Sequence, residues 1–324
     1  MLRRKFLKLS AATAVSAPFI NIRGAWAAYP DKSIRWMVGY VPGGTTDILA
    51  RLIGAYISEK IGQQIVIENK AGAGNNLAVE AVIAAPADGY TLLLVNPANG
   101  INATLYKNLS FNFIRDIAPV GGLMRVPNVM VVNNAVPAKT VKEFIDYAKA
   151  NPSKVNMASS GNGTSVHLSG ELFMAMTGVK MTHVPYRGSN PALTDIMGGQ
   201  VQVLFDNMPS SIELIRSGKI RALAVTTEKR AEYFPNVPTL AETVPGYEAS
   251  AWFGMGVKAG TSPEIIAFLH KQIEQALADP KIKARIADLG GAQMGGSSAD
   301  FAKIIADETA KWKKVVEFSG AKVE

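Results

Sequence analysis

The sequence predicts an α/β protein with room for two lobes. Apolar runs bounded by turn residues alternate with segments of helical spacing, the pattern of sheets flanked by helices. Glycine is frequent, at 29 of 324 residues, while aromatic residues are a modest 8%. Residues 1–27 read as an export signal, and the 297 residues beyond them (324 − 27) suffice for two units at ~100–200 residues each.

Ile34, Trp36, Met37 and Val38 form a first strand that runs into Gly39 and Tyr40 and is broken by Pro42-Gly43-Gly44-Thr45-Thr46-Asp47. Ile48, Leu49, Leu52, Ile53, Tyr56 and Ile57 then recur at helical spacing, which predicts a helix over 47–60. Ile65-Val66-Ile67 is a short buried strand and Gly72-Ala73-Gly74-Asn75 a loop. A second helix covers 77–84 and stops before Pro86; Asp88-Gly89-Tyr90 turns into a strand over 91–95. Strand–helix–strand–helix–strand is the unit that builds a parallel sheet.

The rhythm returns in the middle of the chain. Thr140 caps a helix over 141–150 that Asn151-Pro152 ends. A strand over 155–158 meets Ser159-Ser160-Gly161-Asn162-Gly163-Thr164, and a helix follows to about Thr177 with Val166, Leu168, Leu172, Phe173 and Met176 as apolar positions. His183-Val184-Pro185-Tyr186 ends a strand, 191–197 is a short helix, and 201–205 is a strand ending in Asp206.

The N-terminus carries Arg3, Arg4, Lys5 and Lys8, an Ala- and Ser-rich apolar stretch over 9–20, and Ala25-Trp26-Ala27 as a cleavage signal. The paired arginines followed by Phe6-Leu7-Lys8, with Arg23 near the cleavage point, suit the twin-arginine route; an ordinary secretory signal is the alternative. Either way the expected destination is the periplasm. The stretch is shorter than the ~20 residues that span a bilayer. There is no cysteine, which excludes disulfides, a lipidated cysteine and thiolate metal sites. Of the formal charge of +8, five positive charges lie in residues 1–27, leaving +3 spread among acidic residues. That pattern does not make a nucleic-acid binder.

Both halves thus deliver a Gly-, Ser- and Thr-rich loop from a strand into a helix start. The first helical N–H groups lack intrahelical acceptors and carry the positive end of the helix dipole, so such junctions suit an anion. The first loop offers Gly43, Gly44, Thr45 and Thr46; the second offers Ser159, Ser160, Gly163 and Thr164. Each loop alone is also ordinary turn chemistry and a helix cap. If the two loops sit on different lobes, two carboxylates, or one carboxylate and a polar tail, could be gripped between them. His167, early in its helix and close to the second loop, either reaches a ligand or is a satisfied helix histidine; Asp206 either accepts from a ligand or caps the turn before Pro209. Tyr40 and Asn96 line the cleft or finish their strands. His167, His183 and His270 show no H-x-x-x-H spacing and no carboxylate partner in register, so no metal or cofactor is expected. No G-x-S-x-G elbow, Walker loop or G-x-G-x-x-G fingerprint appears, and no enzymatic activity is expected.

Taken in order, the pieces resemble the substrate-binding proteins of tripartite tricarboxylate transporters, the Bordetella uptake gene family. They include Pro42-Gly43-Gly44 with Asp47, Ala71-Gly72-Ala73-Gly74, Asp88-Gly89-Tyr90-Thr91-Leu92, Gly163-Thr164 with His167-Leu168, His183-Val184-Pro185-Tyr186, and Val237-Pro238-Thr239-Leu240. The resemblance implies a two-lobed Venus-flytrap fold of the periplasmic-binding-protein type, with two crossing strands and a carboxylate between the lobes. It places ligand contacts on Gly43, Gly44, Thr45, Thr46 and Asp47, and on Ser160, Gly163 and Thr164 with His167 behind; Asp206 faces the cleft. Lobe one is expected over 28–123 and 224–324 and lobe two over 124–223, crossing near Leu123 and Met124 and again near Ala222 and Leu223. The implied partners are a small carboxylate and the membrane permease subunits of such a transporter, met by a monomer. A carboxylate sensor that signals to a membrane receptor is the alternative, with an exported hydrolase behind it. Lys70-Ala71, Asn75-Asn76, Arg187, Tyr40 and Asn96-Pro97-Ala98-Asn99 depart from the family pattern and leave the identity of the acid open.

Overall fold

A computed structural model describes residues 29–152 and 154–323. The export signal expected over 1–27 lies outside the described residues. In chain order, β1 (Ile34–Val38), α1 (Thr45–Ile61), β2 (Ile65–Asn69), α2 (Asn76–Ala84) and β3 (Thr91–Val95) realise the first predicted run. Then α3 (Pro97–Leu105) and the short α4 (Phe113–Asp116) lead to β4 (Ile117–Val132). The middle section holds α5 (Val141–Ala150), β5 (Asn156–Ser159), α6 (Ser165–Thr177), β6 (Thr182–Pro185), α7 (Ser189–Met197), β7 (Val203–Asn207), α8 (Met208–Arg216) and β8 (Arg221–Val225). The chain closes with β9 (Ser250–Lys258), α9 (Pro263–Ala278), α10 (Pro280–Asp288), the two-residue β10 (Ala292–Gln293) and the long α11 (Ser298–Ser319).

Two sheets share one strand. In the first, β1 pairs in parallel with β2 and β3, and β9 lies antiparallel between β3 and β4. In the second, β7 runs antiparallel to β4 and parallel to β5, which pairs with β6; β8 also pairs with β4. The 16-residue β4 gives Ile117–Pro127 to the first sheet and Asn128–Val132 to the second. Its register against β9 shifts twice, between Pro119 and Gly121 and between Gly122 and Met124. Such bulges bend a strand, as one that crosses between lobes must.

Side-chain alternation puts helices on both faces of each sheet. In β1, Ile34, Trp36 and Val38 pack towards Ile53 and Ile273, whereas Met37 packs on the opposite face with Val79 and Phe301. In the second sheet Phe205 and Met130 meet Phe144 and Phe173 on one face, and Leu204 and Val131 meet Ile196 and Ile212 on the other.

The crossings lie further along than the sequence suggests. Ala222 and Leu223 sit inside β8, whose ladder with β4 runs to Val225, and Thr226 N–H still donates to Asn128 O at 2.9 Å. The first sheet is rejoined only at Ser250. The transfer is therefore made at Pro127–Asn128 and over residues 226–249. Nor does 224–324 belong to lobe one alone. Leu240, Val244 and Tyr247, together with Trp312 and Val316 of α11, are buried in the Phe144–Phe173 core of lobe two. Apolar burial overrides chain position here, because each buried side chain of this size contributes roughly 1.5–3 kcal/mol.

Candidate functional site

The lobes meet in a closed arrangement: Val41 N–H donates to Arg187 O at 3.1 Å, and Thr45 Oγ1 lies 3.3 Å from Ser210 Oγ. Between them is a small cavity, partly open to solvent, lined by Tyr40, Gly44, Thr45, Thr46, Asn96, Pro97, Ser160, Thr164, Ser165, Ser189, Asn207 and Phe253. None of these side chains is charged. Eleven of the twelve, all but Phe253, sit at the starts of five helices or in the loops leading into them: α1 (capped by Gly44), α3 (Asn96), α6 (Thr164), α7 (Gly188) and α8 (Asn207). Five positive dipole ends aimed at one uncharged polar chamber are suited to hold an anion.

In the first loop, Gly44 caps α1 in an extended conformation, and its neighbours Thr45 and Thr46 present N–H groups with no protein acceptor among the described residues. Gly43 has φ +92°, a left-handed conformation that favours glycine. Asp47 is committed to the protein itself. It accepts from Gly43 N–H at 3.1 Å, from Arg51 Nε and Nη2 at 2.9 Å each, and from Asn69 Nδ2 at 2.9 Å. Burial pushes this carboxyl up, but the bonds from Arg51, Asn69 and Gly43 outweigh it and hold the group below the usual carboxylate range. Asp47 braces the loop from behind.

The second loop is also braced internally. Ser159 is fully buried; its Oγ accepts Gly161 N–H at 3.2 Å and lies 2.6 Å from His183 Nε2. Gly163 N–H, expected to meet a ligand, instead donates to His167 Nδ1 at 3.2 Å. Thr164 Oγ1 donates to Gly161 O at 2.8 Å and accepts from His167 N–H at 3.1 Å, so its hydroxyl is used in capping α6. The hydroxyl of Ser160 is left to line the cavity, together with that of Ser165, whose Oγ accepts from Asn207 Nδ2 at 3.3 Å and keeps its own proton to donate. Thr164→Ala is accordingly expected to lower stability by about 1 kcal/mol, read as a lower urea midpoint of the ligand-free protein. Thr164→Ser should recover most of the loss.

Asp206 requires a correction: it does not face the cleft. It is fully buried and accepts from Ser189, Ser210 and Ser211, each at 2.6 Å. Burial raises its pKa, and those hydroxyls with Asn207 N–H only partly offset the effect. Its part is to aim Ser189 at the cavity. Tyr40 and Asn96 do line the cavity, joined by a 3.3 Å hydrogen bond from the phenol to Asn96 Oδ1. Burial, reinforced by the neighbouring Tyr106, pushes the Tyr40 phenol far up, so it remains a donor.

Sequence reading missed Pro97, Ser165, Ser189, Asn207 and Phe253. Ser165 directly follows the Thr164 cap, Gly188-Ser189 opens a third strand-to-helix junction, and Asn96-Pro97 and Asn207-Met208-Pro209 are cap-plus-proline helix starts, so four of the five carried a signal. Phe253, inside an apolar strand, carried none. Two of the three histidines also have carboxylate partners in register after all: Glu171 lies 3.4 Å from His167 and Glu274 lies 3.6 Å from His270, each one helical turn on. His167, Glu171 and His183 bring their ligating atoms within 4.8 Å of one another. However, the two imidazoles are stacked at 4.0 Å with 12° between their planes. A metal ion binds in the plane of each ring, and rings stacked this way do not share an in-plane point, so the geometry is that of a packed pair.

Residues 49–320 match the family model described as tripartite tricarboxylate transporter family receptor. The chain belongs to that family. It is 35% identical to Protein BugT of Bordetella pertussis over 326 residues, covering 98% of this chain and 100% of BugT. Among solved structures, R. palustris Rpa4515 with adipate superposes with a TM-score of 0.89 at 38% identity, covering 91% of this chain and all of that one. MatC (Rpa3494) from Rhodopseudomonas palustris with bound malate gives a TM-score of 0.86 at 31% identity, over 89% of this chain and all of that one. The two-lobed periplasmic-binding-protein fold is the fold of this receptor family.

Proposed function

We propose that this receptor is exported to the periplasm by the twin-arginine route, closes its lobes around one small carboxylate, and presents the closed form to the membrane subunits of a tripartite tricarboxylate-type transporter. It acts as a monomer and catalyses nothing. The observation that carries the binding reading is the convergence of five helix N-termini on a cavity without a charged side chain. An anion gains about 0.3–1 kcal/mol from each helix end at exposed sites, and up to about 2 kcal/mol where water is partly excluded. The adipate and malate bound by the two solved relatives are both dicarboxylates.

A second group on the ligand has somewhere to go. Tyr40 and Ser160 also line an adjoining chamber that Arg187 borders. The sequence shows no arginine in either anion loop; folding brings this one to the border of the adjoining chamber. A dicarboxylate with one end at the helix starts and the other towards Arg187 fits this arrangement.

A thermal-shift screen of the mature protein, refolded to remove carried-over ligand, tests the reading. At ~100 times its dissociation constant, a true ligand stabilises by ~2.7 kcal/mol, a shift of several degrees. Short dicarboxylates are expected to give it and their dimethyl esters are not. A panel of mono-, di- and tricarboxylates without a shift would defeat the carboxylate assignment.

A further inference from the structure

The anion loop of lobe two is held at both ends by a stacked histidine pair that does not line the cavity. His183 Nε2 meets Ser159 Oγ at 2.6 Å, and His167 Nδ1 accepts Gly163 N–H at 3.2 Å. A backbone N–H can only donate, so His167 Nδ1 must carry a lone pair, and the ring proton sits on Nε2, facing Glu171 at 3.4 Å. Gly163 has φ +75°, a turn that this bond secures immediately before Thr164 and the free start of α6.

We propose that His167 is a positioning residue for ligand binding: only its neutral, Nε2-protonated form holds the Ser159–Thr164 loop in its anion-receiving shape, which makes ligand affinity proton-linked. Protonation at Nδ1 would replace the acceptor with a second donor against Gly163 N–H and release the turn. The titratable groups facing His167 are Glu171 on its own helix and His183 on β6. Burial, with the charge of His167 second, pushes His183 down to about 3, so His183 stays neutral through the range in which imidazoles ordinarily charge, about pH 5–8. The proposal rests on the carboxylate reading for its effect on affinity but not for its tautomer.

Two measurements test it. Long-range ¹H–¹⁵N spectra of the ligand-free protein at pH 8 should show His167 protonated at Nε2 and bare at Nδ1. A ring protonated at Nδ1 overturns the proposal whatever the ligand proves to be. Calorimetric titration with the acid found by the screen should show affinity falling at least about tenfold from pH 8 to pH 5, the weight of a single hydrogen bond to a charged group. His167→Asn, whose Oδ1 occupies the place of Nδ1 without titrating, should bind within about threefold of the parent at pH 8 and lose, towards pH 5, only what protonation of the ligand's own carboxyl accounts for. His167→Leu, lacking the acceptor, should bind at least about tenfold more weakly at every pH. A fall in the Asn variant as steep as the parent's, or Leu binding like the parent, overturns the proposal. Failure of every carboxylate to bind would instead fault the functional reading, and the tautomer would still be decided by the spectra.

Discussion

Thr46→Asp is expected to abolish high-affinity ligand binding without weakening the fold. Thr46 is the second residue of α1, is 7% exposed, and lines the cavity. Aspartate is close to threonine in size, and a carboxylate in the first turn of a helix is favourable by about 0.3–1 kcal/mol. The urea midpoint of the ligand-free variant should therefore match the parent's or exceed it. The same carboxylate would occupy the anion position and repel a bound one. Two like charges ~4 Å apart interact by ~4 kcal/mol at an effective dielectric constant of 20, so a loss of at least about 100-fold in affinity follows. Thr46→Val, which removes only the hydroxyl, should lose about three- to tenfold, the weight of one neutral hydrogen bond. Calorimetry on the two variants separates charge from shape. If the aspartate variant binds within threefold of the parent, the anion sits elsewhere.

Trp312→Ala should be the most damaging single truncation for stability. Trp312 is fully buried, in the second half of a 22-residue helix that packs on α3, β4 and α6. It belongs to the core formed with Phe144, Phe173 and Tyr247, although it lies in the last tenth of the chain. Removing a buried tryptophan costs about 3–5 kcal/mol when the surroundings do not collapse into the space. Around this site they are sheet and helix held from several sides, so little collapse is expected. Equilibrium urea unfolding should show a free energy of unfolding lowered by that amount, with a correspondingly lower midpoint. A loss below about 1 kcal/mol would mean that the end of α11 does not bind lobe two, since partial cavities in rigid cores rarely cost so little.

The same helix carries a second tie near the crossing. Arg125 on β4 donates to Glu308 of α11 at 2.9 Å and to Ser250 at the start of β9, also at 2.9 Å. This places α11 across the junction of the lobes, on β4 as well as on α3 and α6. The chain's third passage between lobes is thus a packed helix, in addition to the strand transfer at Pro127–Asn128 and the segment 226–249.

Periodicity and turn chemistry are local properties, and what they govern was legible in the sequence. The alternation of strand and helix over 34–95 and 141–206, the Gly43-Gly44 and Gly163-Thr164 junctions, and the helix starts after Thr140 and Thr164 all follow from spacing, caps and glycine. The family could be recognised from the order of such pieces. Other facts depend on groups far apart in the chain. Asp206 and Asp47 look alike in sequence as cleft-facing acids, yet both are saturated from behind, one by three serines and the other by Arg51, Asn69 and Gly43. Sequence supplies the hydrogen-bonding groups without saying which of them will pair with each other. Nor could it assign Leu240, Tyr247 and Trp312 to the second lobe, because apolar surface is buried wherever space is available rather than in chain order. Local chemistry determined the kind of site this protein has. Only the tertiary structure decided which of its donors remain free, since that depends on which distant acceptors have already been met.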